Sequence, residues 1–333
     1  MKKIKVFVNG FGRIGRCIAR VILTSKNDRF EIVGINDPAD SEVLAYLLEH
    51  DSIHFQPLKT KKINTNLFAF NDYEILFSAK SNPSEVEINH ADVVIESSGL
   101  FLKREFAECY LKKGAKKVIL SAPAQDDTPT FVLGVNHHSY KGESIISNAS
   151  CTTNALAPIV MLLDKTFGVE KGILTTIHSY TNDQNLIDSV HKKNDLRRSR
   201  AAAINMIPTT TGAAKALHLV LPEIKGKLHG HSVRVPIPDV SMIDLNINLC
   251  QQTTKESLNT LFEEASLSTL QGILGVDKHY GVSQDFIDNP LSVIIASDLT
   301  FVLGGNMAKI MAWYDNEWGY SNRILEMAEW ICG

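Results

Sequence analysis

Short apolar runs alternate with amphipathic stretches through the first half of the chain. Lys5-Val6-Phe7-Val8 reads as a buried strand. Over residues 13–23, Ile14, Ile18, Val21 and Ile22 recur at helical spacing and predict a helix with one apolar face. Residues 31–35, 92–95, 117–120 and 144–147 predict further strands. Strands alternating with helices point to parallel βαβ units and a doubly wound sheet. Near residue 150 the rhythm changes. Residues 155–167 predict a helix with Leu156, Val160 and Leu163 on one side. Longer strand-like runs follow at 173–178, 231–236, 242–249 and 307–314, spaced by Gly, Pro and polar residues as in an antiparallel sheet. The tail at 322–331 predicts a last helix. The expected fold class is α/β: a parallel-sheet domain, then an α+β domain with a mainly antiparallel sheet.

Composition narrows the class without naming a function. With 333 residues, 44% hydrophobic and 21% charged, the chain has material for two domains and is not disordered, collagenous or coiled-coil. A net charge of −3 gives no global pull toward nucleic acid or anionic membrane. The basic residues of the 181–200 loop, Lys192, Lys193, Arg197, Arg198 and Arg200, have no interleaved aromatics and read as a solvated or intersubunit loop. Five cysteines at 17, 109, 151, 250 and 332 lack C-x-x-C spacing, so neither a disulfide framework nor a metal site is expected. The apolar run before Asn9-Gly10 is too short for a signal-peptide core, and no stretch is long enough to span a membrane. The expectation is a soluble cytoplasmic protein with reduced thiols.

Gly10-Phe11-Gly12-Arg13-Ile14-Gly15 is G-x-G-x-x-G between a predicted strand and a predicted helix. In such a loop the first glycine permits a tight turn, the second lets a diphosphate approach the backbone, and the third lets helix pack on strand. The helix start supplies N–H groups and partial positive charge. Asp37 ends the second strand, 22 residues past Gly15, where an acid can bind ribose hydroxyls and repel a 2′-phosphate. Asp37 also suits a plain turn or helix cap. Strand, loop, helix, strand and acid together favour NAD.

Ser150-Cys151-Thr152-Thr153-Asn154 lies between the last strand of the first half and the first helix of the second. A cysteine at a helix start feels a dipole that favours thiolate, the nucleophilic form. The other four cysteines read as packing residues. His178 ends a strand 27 residues later, and the intervening helix brings that strand back toward the thiol. A histidine there can pair with the thiol or act as its base or acid.

These residues make the chain recognisable. Asn9 to Arg16, Ser147 to Asn154, Thr209 to Lys215, Arg234-Val235-Pro236 and Trp313 to Ser321 follow, in order and spacing, the motifs of phosphorylating glyceraldehyde-3-phosphate dehydrogenases, and the chain resembles the bacterial type of that family. The resemblance implies a Rossmann NAD-binding domain over 1–150 plus 317–333 and a catalytic domain over 151–316. It implies oxidation and phosphorylation of glyceraldehyde 3-phosphate to 1,3-bisphosphoglycerate, through a hemithioacetal and a thioester on Cys151. His178 is its implied activator. Thr181 and Arg234 are implied to hold the C3 phosphate; Ser150, Thr152, Thr211 and Gly212 the inorganic phosphate. Gly10, Phe11, Gly12, Arg13, Ile14, Asp37, Lys80 and Ser121 are implied dinucleotide contacts, with Asn316 on the nicotinamide amide. A homotetramer is implied, with the 181–200 loop reaching a neighbouring subunit.

Some positions depart from the family pattern. Ser189-Val190 stands where NAD-specific members carry Leu-Pro, which leaves NADP as a weaker alternative to NAD. Lys80 lies where an arginine near the adenine is usual, and His54-Phe55 where His-Gly is common. Rival readings are an erythrose-4-phosphate dehydrogenase and a catalytically silent NAD-binding regulatory protein of the same fold. The triose-phosphate form of residues 209–214 opposes the first. The joint presence of Cys151, His178, Thr181, Arg234 and Asn316 opposes the second.

Overall fold

The computed structural model describes residues 2–25, 28–55, 57–71 and 73–333. The chain divides into two compact units: the first holds the chain up to Leu133, His137–Ser150 and Ser321–Gly333, and the second Gly134–Asn136 and Cys151–Tyr320.

The first unit contains β1 (Ile4–Asn9), α1 (Arg13–Thr24), β2 (Phe30–Asn36), α2 (Ser41–Glu49), β3 (Thr60–Lys62), β4 (Leu67–Phe70), β5 (Tyr73–Ser78), β6 (Val93–Glu96), α3 (Arg104–Lys112), β7 (Lys117–Leu120) and β8 (Ile145–Ser147). Its sheet runs β3-β4-β5-β2-β1-β6-β7-β8. The strands from β5 to β8 are parallel. Numbered among themselves along the chain they lie in the order 3-2-1-4-5-6, the Rossmann arrangement, which reverses between β1 and β6. β3 and β4 extend the edge antiparallel, a feature the apolar rhythm did not predict because Lys61 and Lys62 are exposed. β1, β6 and β7 are almost wholly buried, and Phe7, Val94, Val118 and Leu120 pack with Ala107 and Tyr110 of α3.

A ladder of polar side chains ties the carboxyl ends of these strands together. Asn9 Nδ2 donates to Glu96 Oε2 (2.7 Å), Asn36 Nδ2 to Asn9 Oδ1 (2.8 Å) and Ser78 Oγ to Asn36 Oδ1 (2.8 Å). Tyr110 OH donates to Glu96 from below (2.9 Å). Buried polar groups are tolerated when paired in this way, and the pairing fixes the strand ends from which the glycine loop departs.

The second unit contains α4 (Cys151–Phe167), β9 (Val169–Ser179), β10 (Ile207–Thr210), α5 (Ala213–Ala216), β11 (Leu228–Val235), β12 (Ser241–Leu249), α6 (Lys255–Ser266), β13 (Leu274–Asp277), β14 (Val293–Ala296), β15 (Phe301–Leu303) and β16 (Met307–Tyr314). Its sheet runs β10-β11-β9-β12-β16-β14-β13, with β15 on β16. Pairing is antiparallel except β11 with β9 and β13 with β14. α4 starts at Cys151 itself, earlier than the apolar pattern predicted. It is buried all round from Thr152 to Leu163 rather than on one face, which marks it as a core helix. α7 (Trp318–Cys332) begins in the second unit and ends in the first. No helix among the described residues is long and apolar enough to cross a membrane.

Candidate active site

The turn into α4 is fixed before the thiol is reached. Ser147 Oγ donates to Ala122 O (2.8 Å) and accepts from Ala149 N (3.1 Å). Ala149 has a φ of 56°. That left-handed conformation costs a non-glycine residue about 1 kcal/mol, and it turns the chain sharply into the helix. Cys151 is thereby delivered at the first helical position, half-buried.

Cys151 Sγ lies 3.7 Å from His178 Nε2 and 4.0 Å from Thr152 Oγ1. His178 Nδ1 is 2.8 Å from its neighbour's carbonyl, Ser179 O, so Nδ1 carries the proton and the Nε2 lone pair faces the sulfur. Parallel pairing of β9 with β11 sets Arg234 beside His178. Arg234 Nη1 donates to Ser179 O (3.0 Å) and Thr181 Oγ1 (3.0 Å), and lies 3.3 Å from His178 Nδ1. Burial first, then the Arg234 charge, pushes His178 down to about 3, so the imidazole is neutral and basic at Nε2.

Burial pushes the Cys151 thiol up, against the pull of Arg234 and the hydrogen bonds around Thr152. The expectation that the helix start alone favours thiolate is corrected here: desolvation outweighs it. The pair at rest is thiol beside neutral imidazole.

Other expected residues gather around this pair. Thr181 Oγ1 donates to Asp183, which pairs with Arg198. Arg198 Nε also donates to Thr209 Oγ1 (2.9 Å). Arg198, read from sequence as part of a solvated or intersubunit loop, thus joins Arg234 and Thr181 through Asp183 in one cluster. Asn316 is buried, and its Oδ1 accepts from Ser179 Oγ (2.9 Å) and Ser241 Oγ (2.6 Å). Tyr314 was assigned no role from sequence. Its hydroxyl bonds Thr152 Oγ1 (3.0 Å) and Thr176 Oγ1 (2.8 Å), and its ring stands edge-on to His178. The inward alternation along β16 marks it as buried, and a buried tyrosine hydroxyl needs partners, but the strand pattern does not say which. Ser150 precedes α4. Thr211 Oγ1 accepts from Ala213 N (3.2 Å), the helix-cap alternative for that stretch. Among the described residues no hydrogen bond ties Thr211 or Gly212 to Arg234 or Cys151.

In the first unit the three glycines of the loop separate by cause. Gly10 has φ +89°, and a Cβ there would meet Ser98 N at 2.3 Å; one on Gly15 would meet Gly10 O at 2.3 Å. Gly12 is exposed, and a Cβ there would meet nothing within 4 Å. Protein packing demands the first and third glycines, and open space for an incoming group accounts for the second. That space beside the α1 N-terminus fits a dinucleotide diphosphate. Phe11 is buried, with its N–H donating to Asp37 Oδ2 (2.8 Å). Asp37 Oδ1 accepts from Ala39 N (3.0 Å), so this acid is also a strut for loop and turn. Arg13 is paired with Asp51 (2.6 Å), and Ile14 is half-buried. The Lys80 main chain bonds the Asn36 amide (both 2.9 Å) with its side chain exposed. Ser121 N donates to Glu96 O (2.9 Å).

Of the four cysteines read as packing residues, Cys17 is buried, and Cys109 and Cys332 are half-buried. Burial pushes Cys332 up to about 11. Cys250 is exposed, contrary to expectation, because it lies in the turn after β12.

A family model described as "Glyceraldehyde 3-phosphate dehydrogenase, NAD binding domain" matches residues 4–104, and one described as "Glyceraldehyde 3-phosphate dehydrogenase, C-terminal domain" matches residues 150–316. The chain is 54% identical to the glyceraldehyde-3-phosphate dehydrogenase of Helicobacter pylori, over 98% of this chain and 99% of the relative. It is 47% identical to those of Priestia megaterium and Geobacillus stearothermophilus, over 98% of each chain.

Proposed function

Because this chain belongs to the glyceraldehyde-3-phosphate dehydrogenase family, we propose that it oxidises and phosphorylates glyceraldehyde 3-phosphate to 1,3-bisphosphoglycerate, using NAD and inorganic phosphate. The observation that carries the reading is the Cys151–His178 pair, 3.7 Å apart, with the basic nitrogen facing the sulfur. Cys151 Sγ attacks the aldehyde carbon while His178 Nε2 takes the thiol proton and passes it to the carbonyl oxygen, giving a neutral hemithioacetal. His178 then removes the hydroxyl proton as the C–H hydride departs, and a thioester remains. NAD, when bound, accepts that hydride. A phosphate oxygen attacks the thioester carbon, and Cys151 leaves as thiolate and recovers its proton from His178.

Arg234 and Thr181, hydrogen-bonded to one another, are suited to the C3 phosphate. Ser150, Thr152, Thr211 and Gly212 are assigned to the inorganic phosphate. Asn316, its oxygen held by two serines, is assigned to the nicotinamide amide through Nδ2. Gly10, Phe11, Gly12, Arg13, Ile14, Asp37, Lys80 and Ser121 would hold the dinucleotide, with Asp37 favouring NAD over NADP. The exposed apolar side chains of Leu186, Ile187, Val190, Leu196, Ile204 and Met206, between 72% and 86% exposed, support a homo-oligomer, proposed as a tetramer in the cytoplasm.

Steady-state kinetics test the reading. Phosphate-dependent NADH formation with acyl phosphate as product is expected, with NAD the better cofactor by kcat/KM and no turnover for Cys151→Ser. Turnover without phosphate, or a preference for erythrose 4-phosphate, overturns it.

A further inference from the structure

The carboxyl ends of four strands in the first unit carry one row of polar side chains. Asn9, Asn36 and Glu96 are the last residues of β1, β2 and β6, and parallel pairing sets Asn9 opposite both Asn36 and Glu96. Asn36 in turn stands opposite Ser78 of β5. In-register residues of parallel strands point to the same side, so these side chains meet in a line. Asn9, Asn36 and Glu96 are all buried. The row crosses the point between β1 and β6 where strand order reverses, and open α/β sheets bind their ligands outside the carboxyl ends of strands at such a point.

The row has a direction, and main-chain atoms set it. Lys80 N donates to Asn36 Oδ1 and Lys80 O accepts from Asn36 Nδ2 (both 2.9 Å), which fixes the orientation of that amide. Asn36 Nδ2 also donates to Asn9 Oδ1 (2.8 Å), so Asn9 Nδ2 is left to donate to Glu96 Oε2 (2.7 Å), 87 residues along the chain. Glu96 closes the row as an acceptor on both oxygens. Oε1 accepts from Ser98 N (2.9 Å) and Ser98 Oγ, and Oε2 accepts from Asn9 and from Tyr110 OH of α3 (2.9 Å). Ser98 N and Asn9 Nδ2 are N–H donors on opposite oxygens, so a carboxylate serves both and an amide serves only one. With glutamine at position 96 a donor would face a donor at Ser98 or at Asn9. Turning over the Asn9 and Asn36 amides in response would only move the conflict to Lys80 N. Each place where it can settle adjoins an expected dinucleotide contact. Ser98 lies against Gly10, where a Cβ would come within 2.3 Å of Ser98 N. Gly10 N donates to Asn36 O (2.8 Å), Asp37 N donates to Ser78 O (3.0 Å), and Lys80 is itself an expected contact.

We propose that Glu96 is a positioning residue for the dinucleotide: as the acceptor that ends the Lys80–Asn36–Asn9 row, it holds the glycine loop and the Lys80 segment in one register. This rests on reading the glycine loop as the NAD site. Segments held in place beforehand need little ordering when the dinucleotide arrives, and that saving appears as affinity.

Fluorescence titration and steady-state kinetics with NAD test this on the purified enzyme. Glu96→Gln keeps the shape and breaks the pairing; it is expected to raise the Kd and KM for NAD about tenfold while kcat at saturating NAD falls less than about twofold. Combining it with Asn9→Asp moves the acid one strand along and restores the pairing along the row at the parent's net charge. That double variant is expected to regain NAD affinity to within about twofold of the parent. Tyr110→Phe takes one donor from Glu96 without changing the direction of the row; it is expected to lower Tm, with NAD affinity unchanged. Should Glu96→Gln not fold, Asn9→Ser, which interrupts the row, takes its place with the same expected loss of affinity. The proposal is overturned if the folded single variant binds NAD like the parent, if the folded double variant binds NAD no better than the single, or if Tyr110→Phe weakens NAD equally. A parent enzyme that binds no NAD would overturn the reading of the loop, and the proposal with it.

Discussion

Arg234 and His178 lie side by side on paired parallel strands and converge on one carbonyl, Ser179 O, at 3.0 and 2.8 Å. The arginine thus sets both the substrate end and the base end of the site. Its charge holds His178 neutral and draws the Cys151 thiol down against burial.

Arg234→Gln is expected to reduce kcat/KM for glyceraldehyde 3-phosphate by about 30-fold or more, the scale of a lost charge-assisted hydrogen bond. Unphosphorylated glyceraldehyde should lose much less. The same change should raise the thiol pKa, read as slower iodoacetamide alkylation at fixed pH. Equal losses for both aldehydes would remove Arg234 from the phosphate.

Tyr314→Phe deletes one hydroxyl and leaves two buried threonines, Thr152 and Thr176, each short of a partner. A stability loss of about 1–3 kcal/mol is expected in urea unfolding. Because Thr152 adjoins the thiol, kcat should fall as well. A variant with parental stability would show that water replaces the hydroxyl.

Gly12→Ala and Gly10→Ala should separate binding from folding. The first meets open space and is expected to fold with near-parental stability but to bind NAD weakly. The second forces a Cβ onto the Ser98 backbone at positive φ and is expected to destabilise the whole first unit. Thermal melts and NAD titrations of both variants check this. Gly12→Ala binding NAD normally would mean that no diphosphate approaches there.

Stability should fall on mild acidification. Burial first, then His138, pushes His137 down to about 4, below the ordinary histidine value of 6.5. Between these values the unfolded chain binds the extra proton, so stability rises with pH across that window and is complete above it. His178, down to about 3, acts in the same direction. Denaturation midpoints at pH 7.5 and pH 5 should differ, and His137→Gln should narrow the difference. An unchanged gap would place the acid sensitivity elsewhere.

The parts of the fold and site that were legible in the sequence are those where residue identity and backbone geometry coincide. Gly10 is required by its positive φ and Gly15 by a contact within the loop, so the motif could be read directly. The apolar periods of β1, α1, β9 and β12 located those elements because each buries its pattern. Glu96, Tyr314 and Arg198 were not legible, since their roles exist only once distant segments meet: Asn9 and Glu96 are 87 residues apart, Thr152 and Tyr314 are 162 apart. The thiol's surroundings were half legible. Its place at a helix start follows from sequence, whereas the desolvation that opposes its ionisation depends on residues packed around it.

The division of α7 between the two units bears on synthesis. Trp330, whose ring stands edge-on to His137 and His138 in the first unit, is made after every residue of the second unit. A ribosome therefore completes every residue of the second unit before it supplies the closing segment of the first. The first unit begins before the second and is completed after it. Until residues 321–333 are made, the nascent first unit lacks the buried side chains of Ile324, Leu325, Met327 and Ile331, and a stop codon early in α7 would remove them permanently.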